Sequence, residues 1–246
     1  ITVPFTYETQ LSGIHDTSFH PVVWYEREFT VSRTEKRQIL HFEGVDHDAK
    51  VWVNGQFAGM HAGAYARFSL DITDYMIEGT NTITVRAEDS VSCSQPRGKQ
   101  RWRDESFGCW YVQTTGIWKT VWLEEVPQLY METCRMTADF DNAKVLFEIK
   151  LNKKPADACR LNCRISMDGE ETVACEVRAG SEYIMFDVRV ADADTPWQMV
   201  PWSPQNPRLY DVKLTLSDGE GTDEAESYFG MRKIHIENGQ ILLNNV

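Results

Sequence analysis

Strict alternation of apolar and polar residues constrains this chain more than any other feature. Val145, Phe147, Ile149 and Leu151 alternate with Lys144, Glu148 and Lys150, while Leu161, Cys163, Ile165 and Met167 alternate with Arg160, Asn162, Arg164 and Ser166. The same period recurs in Val173-Cys175-Val177, Ile184-Phe186-Val188-Val190 and Tyr210-Val212-Leu214-Leu216. Successive side chains on a strand point to opposite faces, so each run predicts a strand with one face on a core. The dipeptides Asn54-Gly55, Asp168-Gly169, Asp218-Gly219 and Asn238-Gly239 tolerate the positive φ of tight hairpins and imply antiparallel neighbours. No capped i, i+3, i+4, i+7 apolar stripe supplies crossover helices for a parallel sheet. The expected class is all-β.

The 246 residues suit two sandwich domains better than one. A tryptophan-rich stretch, Ile117 to Leu123, ends near Glu125-Val126-Pro127, and proline cannot donate to a β-ladder. The boundary is placed there: residues 1–126 hold Trp24, Trp52, Trp102, Trp110, Trp118 and Trp122, and residues 127–233 carry roughly seven strands, the size of an immunoglobulin-like sandwich. The formal net charge of −12 repels phosphate backbones and anionic membrane surfaces, so neither nucleic acid nor membrane is an expected partner. No run approaches the roughly 20 apolar residues that span a bilayer. The six cysteines lack Cys-x-x-Cys spacing and read as reduced structural thiols. Cys159 and Cys163 share a strand face but lie ~13 Å apart along it, too far to bond.

Several segments, in order, resemble glycoside hydrolase family 2, which includes β-galactosidases, β-glucuronidases and β-mannosidases. They are Trp24-Tyr25-Glu26-Arg27-Glu28-Phe29, Leu40-His41-Phe42-Glu43-Gly44-Val45-Asp46, and Val51-Trp52-Val53-Asn54-Gly55 with Gly59, His61 and Gly63. Residues 81–89, Gly116-Ile117-Trp118-Lys119-Thr120-Val121-Trp122-Leu123-Glu124, Trp202-Ser203-Pro204-Gln205-Asn206-Pro207-Arg208-Leu209-Tyr210 and Tyr228-Phe229-Gly230-Met231-Arg232-Lys233 complete the series. The resemblance implies a jelly-roll (galactose-binding-like) sandwich followed by an immunoglobulin-like sandwich, with residues 234–246 leading into a (β/α)8 catalytic barrel beyond Val246. It implies a carbohydrate substrate, a β-glycoside, and places both catalytic glutamates in that barrel. No catalytic residue is therefore expected in this chain. No cofactor is implied here, although a divalent or monovalent cation is compatible with a parent enzyme. A homo-oligomeric parent in the bacterial cytoplasm or periplasm is compatible with it too.

Retaining glycosidases need paired carboxyls about 5 Å apart, and the acidic residues here read as solvent-facing strand and loop positions. For substrate contacts, the loop between Ser94 and Trp110 is the leading candidate: it is too long for a hairpin turn and interleaves Arg97, Lys99, Arg101 and Arg103 with Gly98, Gln100 and Trp102. In relatives this loop leans over the barrel mouth, which makes Lys99, Gln100, Trp102 and Trp110 candidate sugar contacts; a solvated loop is the alternative. His20, before Pro21, matches a residue that reaches toward the sugar pocket in galactosidase relatives. Trp52 faces away from Val51 and Val53, to stack on a sugar or seal a core or interface. Asn54 reads first as a type I′ turn residue and second as a sugar contact. Asp46-His47-Asp48 offers metal-ligand atoms but not the spacing of a metal site. Where galactosidase and glucuronidase relatives carry a sugar-binding aspartate, six residues before Gly116, this chain has Trp110, leaving Asp104 or Glu105 as substitutes. A stand-alone carbohydrate-binding module and a purely structural pair of sandwiches are the competing readings.

Overall fold

A computed structural model describes residues 1–31 and 34–246. The chain forms two compact units, Ile1–Val126 and Pro127–Val246.

In the first unit the strands are β1 (Val22–Val31), β2 (Arg37–Phe42), β3 (Val45–Asp46), β4 (Asp48–Val53), β5 (Gln56–Ala62), β6 (Phe68–Asp71), β7 (Gly79–Glu88), β8 (Gly116–Ile117) and β9 (Val121–Val126). They build a four-stranded sheet in the order β1-β7-β4-β5, a three-stranded sheet β6-β2-β9 and the short pair β3-β8. Inward residues of the sheets, Leu40, Phe42, Val51, Val53, Val85, Ala87 and Ile117, pack with Ile72 into one core. Each fully buried aliphatic or aromatic side chain contributes about 1.5–3 kcal/mol. The Asn54-Gly55 turn has φ of 51° and 77°, as a two-residue hairpin requires.

The second unit contains β10 (Met131–Asp139), β11 (Lys144–Leu151), β12 (Arg160–Met167), β13 (Glu170–Arg178), β14 (Tyr183–Arg189), β15 (Tyr210–Ser217) and β16 (Thr222–Phe229), then a hairpin of β17 (Ile234–Glu237) and β18 (Gln240–Leu243). Sheet β10-β11-β14 faces sheet β13-β12-β15-β16, a seven-stranded sandwich of the immunoglobulin-like kind. The alternation works as its period dictates: Val145, Phe147, Ile149 and Leu151 are buried while the intervening residues are half-buried. Leu161, Cys163, Ile165 and Met167 meet them from the other sheet, and Phe147 stacks on Phe186 at 5.0 Å. Asp218-Gly219 closes a longer turn than a two-residue hairpin, because the Asp218 carboxylate accepts the backbone N–H groups of Glu220 and Gly221 and stabilises two further turn residues.

Candidate functional site

Register decides where chemistry gathers in the first unit. Pairing of Asp48 with Glu88 brings the start of β4 and the end of β7 together, so Asp46 and Asp89, just outside those strands, share one end of the sandwich. The long connection 90–115 folds over that end.

Its underside is a buried polar lattice. Gln100 donates from Nε2 to Asp46 Oδ2 at 3.0 Å and accepts the Thr114 N–H at Oε1. Thr115 Oγ1 donates to Asp89 Oδ2 at 2.9 Å, and the Thr115 N–H donates to Glu8 Oε1 at 3.1 Å. Asp89 Oδ1 accepts the Ser90 N–H at 2.6 Å and the Gln95 amide. Arg101 donates from Nε to Gln113 Oε1 and from a terminal nitrogen to the Thr17 carbonyl. Gln113 Nε2 donates to the carbonyls of Thr17 and Ser18. Glu8, Asp46, Asp89, Arg97, Gln100, Arg101, Gln113 and Thr115 are all buried. The expectation that the acidic residues lie on solvent-facing positions is therefore corrected: three carboxyls are inside, compensated by hydrogen bonds, which is the condition for burying such groups at all.

Burial has electrostatic consequences. Asp46 is pushed up to about 6, chiefly by desolvation and further by the nearby Asp89, against the pull of Gln100, His47 and Arg97. Glu8 is also raised by burial, and its Oε2 has no hydrogen-bond partner. Tyr7, buried beside it, is raised to about 12 by desolvation; its hydroxyl donates to the Ser18 carbonyl and accepts the His20 N–H.

The upper side of the loop is aromatic. The loop doubles back on itself through the Arg101 N–H to Tyr111 carbonyl and Tyr111 N–H to Lys99 carbonyl bonds. Its crest gathers Trp102 against Trp110 at 4.6 Å and against Phe107 at 5.0 Å, both edge to face, with the Arg103 guanidinium 4.5 Å from the Phe107 ring centre. Trp102 is half exposed, at 48%. Asp104 and Glu105 are exposed on the same crest.

The seven predicted contact residues divide accordingly. Lys99, Gln100, Trp102 and Trp110 share the loop: Lys99 is exposed, Trp102 and Trp110 touch, and Gln100 points down into the lattice, with its amide holding the loop in place. His20 joins them indirectly, since Thr17 and Ser18 are held by the loop; its ring bonds Asp16 at 2.8 Å and lies edge-on to Tyr7 at 5.2 Å. Trp52 and Asn54 are elsewhere. Trp52 lies on the outer face of its sheet, stacked on Trp24 at 5.6 Å and edge to face with Phe57 at 5.7 Å, so it does not seal this unit's core. Asn54 lies six residues along from Asp48, ~20 Å at strand rise. Its amide is spent on the Tyr75 carbonyl, Asn81 Oδ1 and the Thr82 N–H. Sequence reasoning missed Glu8, Asp89, Gln113 and Thr115. The available signal was polar residues at alternating positions, Gln113 and Thr115, running into the apolar Ile117.

Comparison with known proteins places this architecture. The model described as "Glycosyl hydrolases family 2, sugar binding domain" matches residues 1–127, and "Glycosyl hydrolases family 2" matches residues 129–232. The chain belongs to glycosyl hydrolases family 2. Among curated relatives, the β-galactosidase large subunit of Latilactobacillus sakei is 27% identical over 240 residues, covering 95% of this chain and 36% of its own length. A β-galactosidase of Priestia megaterium is 27% identical over 256 residues, covering 99% and 24%. The family 2 chain thus spans about a quarter to a third of the length of the curated relatives it matches. In fold it is similar to a Bifidobacterium dentium β-glucuronidase complexed with coumarin-3-O-glucuronide, with a TM-score of 0.77 at 20% identity over 99% of this chain and 45% of that one.

Proposed function

We propose that this chain is the non-catalytic N-terminal portion of a retaining β-glycosidase, in which residues 1–126 and 127–233 support a (β/α)8 barrel entered through residues 234–246. In this reading the loop 90–115 forms part of the sugar site. The observation that carries it is the two-sided construction of that loop. A buried lattice through Asp46, Asp89 and Glu8 fixes its underside, and Trp102 and Trp110 are presented above. An aromatic face stacks on the apolar face of a pyranose, and a stiff support means little ordering entropy is lost on binding. Lys99 and His20 supply hydrogen-bond donors to hydroxyls at its margin. With Trp110 in place of a carboxylate, recognition relies on stacking more than on charge, while Asp104 and Glu105 on the crest are the acidic groups in reach of a ligand. The catalytic acid and nucleophile, about 5 Å apart in retaining enzymes, belong to the barrel.

Turnover of nitrophenyl β-glycosides by the 246-residue chain and by the protein from its full reading frame tests this. The full protein is expected to turn over and the chain alone to be inert; hydrolysis by the chain would overturn the division of labour.

A second reading, a stand-alone carbohydrate-binding module, is favoured by one observation: Trp24, 60% exposed, and Phe57, 50% exposed, flank Trp52 in an aromatic row on the outer sheet face. Calorimetric titration with oligosaccharides separates the two, since a module saturates on its own and a portion of a barrel enzyme binds only weakly.

A further inference from the structure

In the second unit, Cys163 on β12 and Cys175 on β13 are direct cross-strand partners. The register irregularity in this pair of strands falls between Ile165 and Ser166, beyond the cysteines. Directly opposed residues of antiparallel strands carry side chains on the same face with Cα atoms about 4.5–5.5 Å apart, inside the roughly 4.4–6.8 Å range of disulfides. Both thiols are free, Cys163 buried and Cys175 half-buried, and they interact through a hydrogen bond. Strand β13 is an edge strand with one neighbour. Its opening needs fewer broken ladder bonds than that of a central strand, which gives small molecules a route to Cys175. Cys159 lies just before β12, four residues from Cys163 and too distant along the chain to compete, and Cys134, on β10 of the other sheet, is the remaining thiol near Cys163.

We propose that Cys163 and Cys175 are a dithiol modification site that a low-molecular-weight disulfide of the glutathione type oxidises to a cross-strand disulfide, tying edge strand β13 to β12. The half-buried Cys175 reacts first. Its thiolate attacks one sulfur of the glutathione disulfide, forming a mixed disulfide and releasing one glutathione thiolate. Cys163 then loses its proton to solvent and its thiolate attacks the Cys175 sulfur, forming the protein disulfide and expelling the second glutathione. Two protein thiols are oxidised and one disulfide is reduced to two thiols. Burial raises both groups, and Cys163 stands at about 12 through desolvation and then the adjacent Cys175. The thiolate is therefore scarce near neutral pH and the reaction is slow.

The test incubates the folded 246-residue chain with oxidised glutathione, blocks remaining thiols with iodoacetamide, and maps peptides by mass spectrometry. The exposed Cys93 and Cys109 report that the reagent is active. The expected product links Cys163 to Cys175, forms equally in Cys134→Ser, is absent from Cys175→Ser, and melts several degrees above the reduced protein, a gain reversed by dithiothreitol. Mapping of the wild-type chain needs no variant to fold. Cys163 and Cys175 both alkylated while Cys93 and Cys109 carry glutathione would overturn the proposal, as would a bond from either to Cys134, or a link formed only in urea.

Discussion

Gln100 holds the buried carboxyl of Asp46 at 3.0 Å with one end of its amide and the backbone of Thr114 with the other. A single side chain thereby joins three separated pieces of the first unit: the end of β3, the outgoing arm of the long loop and its return. Replacing it with alanine leaves a buried carboxyl oxygen and a part-buried N–H without their partners, and loss of a buried partner costs about 1–3 kcal/mol. Gln100→Ala is expected to lower the melting temperature by several degrees and to expose residues 90–115 to trypsin, which cuts after Arg97, Lys99, Arg101 and Arg103. Unchanged melting and digestion would show that the amide is not the tie.

The same carboxyl predicts a pH dependence. Asp46 holds its proton more tightly in the folded chain, at about 6, than an ordinary aspartyl group at about 3.9. Between those values the folded state binds more protons than the unfolded one, so stability falls as pH rises from about 4 through about 6. Glu8, also raised by burial, acts in the same direction. Asp46→Asn, a neutral mimic of the protonated side chain, is expected to flatten this fall. The check is melting temperature measured at intervals from pH 4 to 7 for both proteins, with identical slopes counting against Asp46.

The strands were legible in the sequence because their physics is local. Alternation in β11 and β12 follows from a two-residue period, and the Asn54-Gly55 and Asp168-Gly169 turns from the positive φ both positions adopt. The aromatic loop was legible from its length and its tryptophans. What lies beneath it was not. Aspartate and glutamate are ordinarily exposed, and only the folded chain shows that Glu8 meets Thr115 across 107 positions, or that the β4–β7 register carries Asp46 and Asp89 to one end. Gln100 reads in the sequence as a candidate sugar contact, but hydrogen-bond direction is a tertiary property, and here its amide faces Asp46 and Thr114. Trp52 was ambiguous for a similar reason: period two says which face it shares, not whether that face is covered.

Gly116 offers a steric test of how the long loop re-enters the sandwich. Its φ is 88°, and a Cβ there would lie 2.1 Å from the Tyr25 hydroxyl oxygen, the same hydroxyl that accepts the Ile117 N–H at 3.2 Å. Gly116→Ala adds backbone strain to a collision that displaces a hydrogen-bonded side chain, together above about 2 kcal/mol. Gly219→Ala, with φ of 90° but nothing within 4 Å of the added carbon, is expected to cost only about 1 kcal/mol. Chemical denaturation of the two variants should show the larger loss at Gly116; equal losses would mean that Tyr25 yields freely.

The two aromatic surfaces of the first unit separate the functional readings in the protein from the full reading frame. If the crest lines the sugar site, Trp110→Ala removes an edge-to-face support for Trp102 as well as its own stacking surface. The expected outcome is a fall of kcat/KM on a nitrophenyl β-glycoside by about tenfold, the effect of roughly 1–2 kcal/mol of lost stacking. Trp24→Ala, on the outer sheet face beside Trp52, is expected to leave kcat/KM within about twofold, since no part of that row belongs to the loop lattice. Melting temperatures of both variants must stay near the parent value for the comparison to hold, a condition favoured by the exposure of Trp24 and the half-buried position of Trp110 outside the core. The reverse pattern, with Trp24 sensitive and Trp110 silent, would move sugar recognition from the loop to the sheet face.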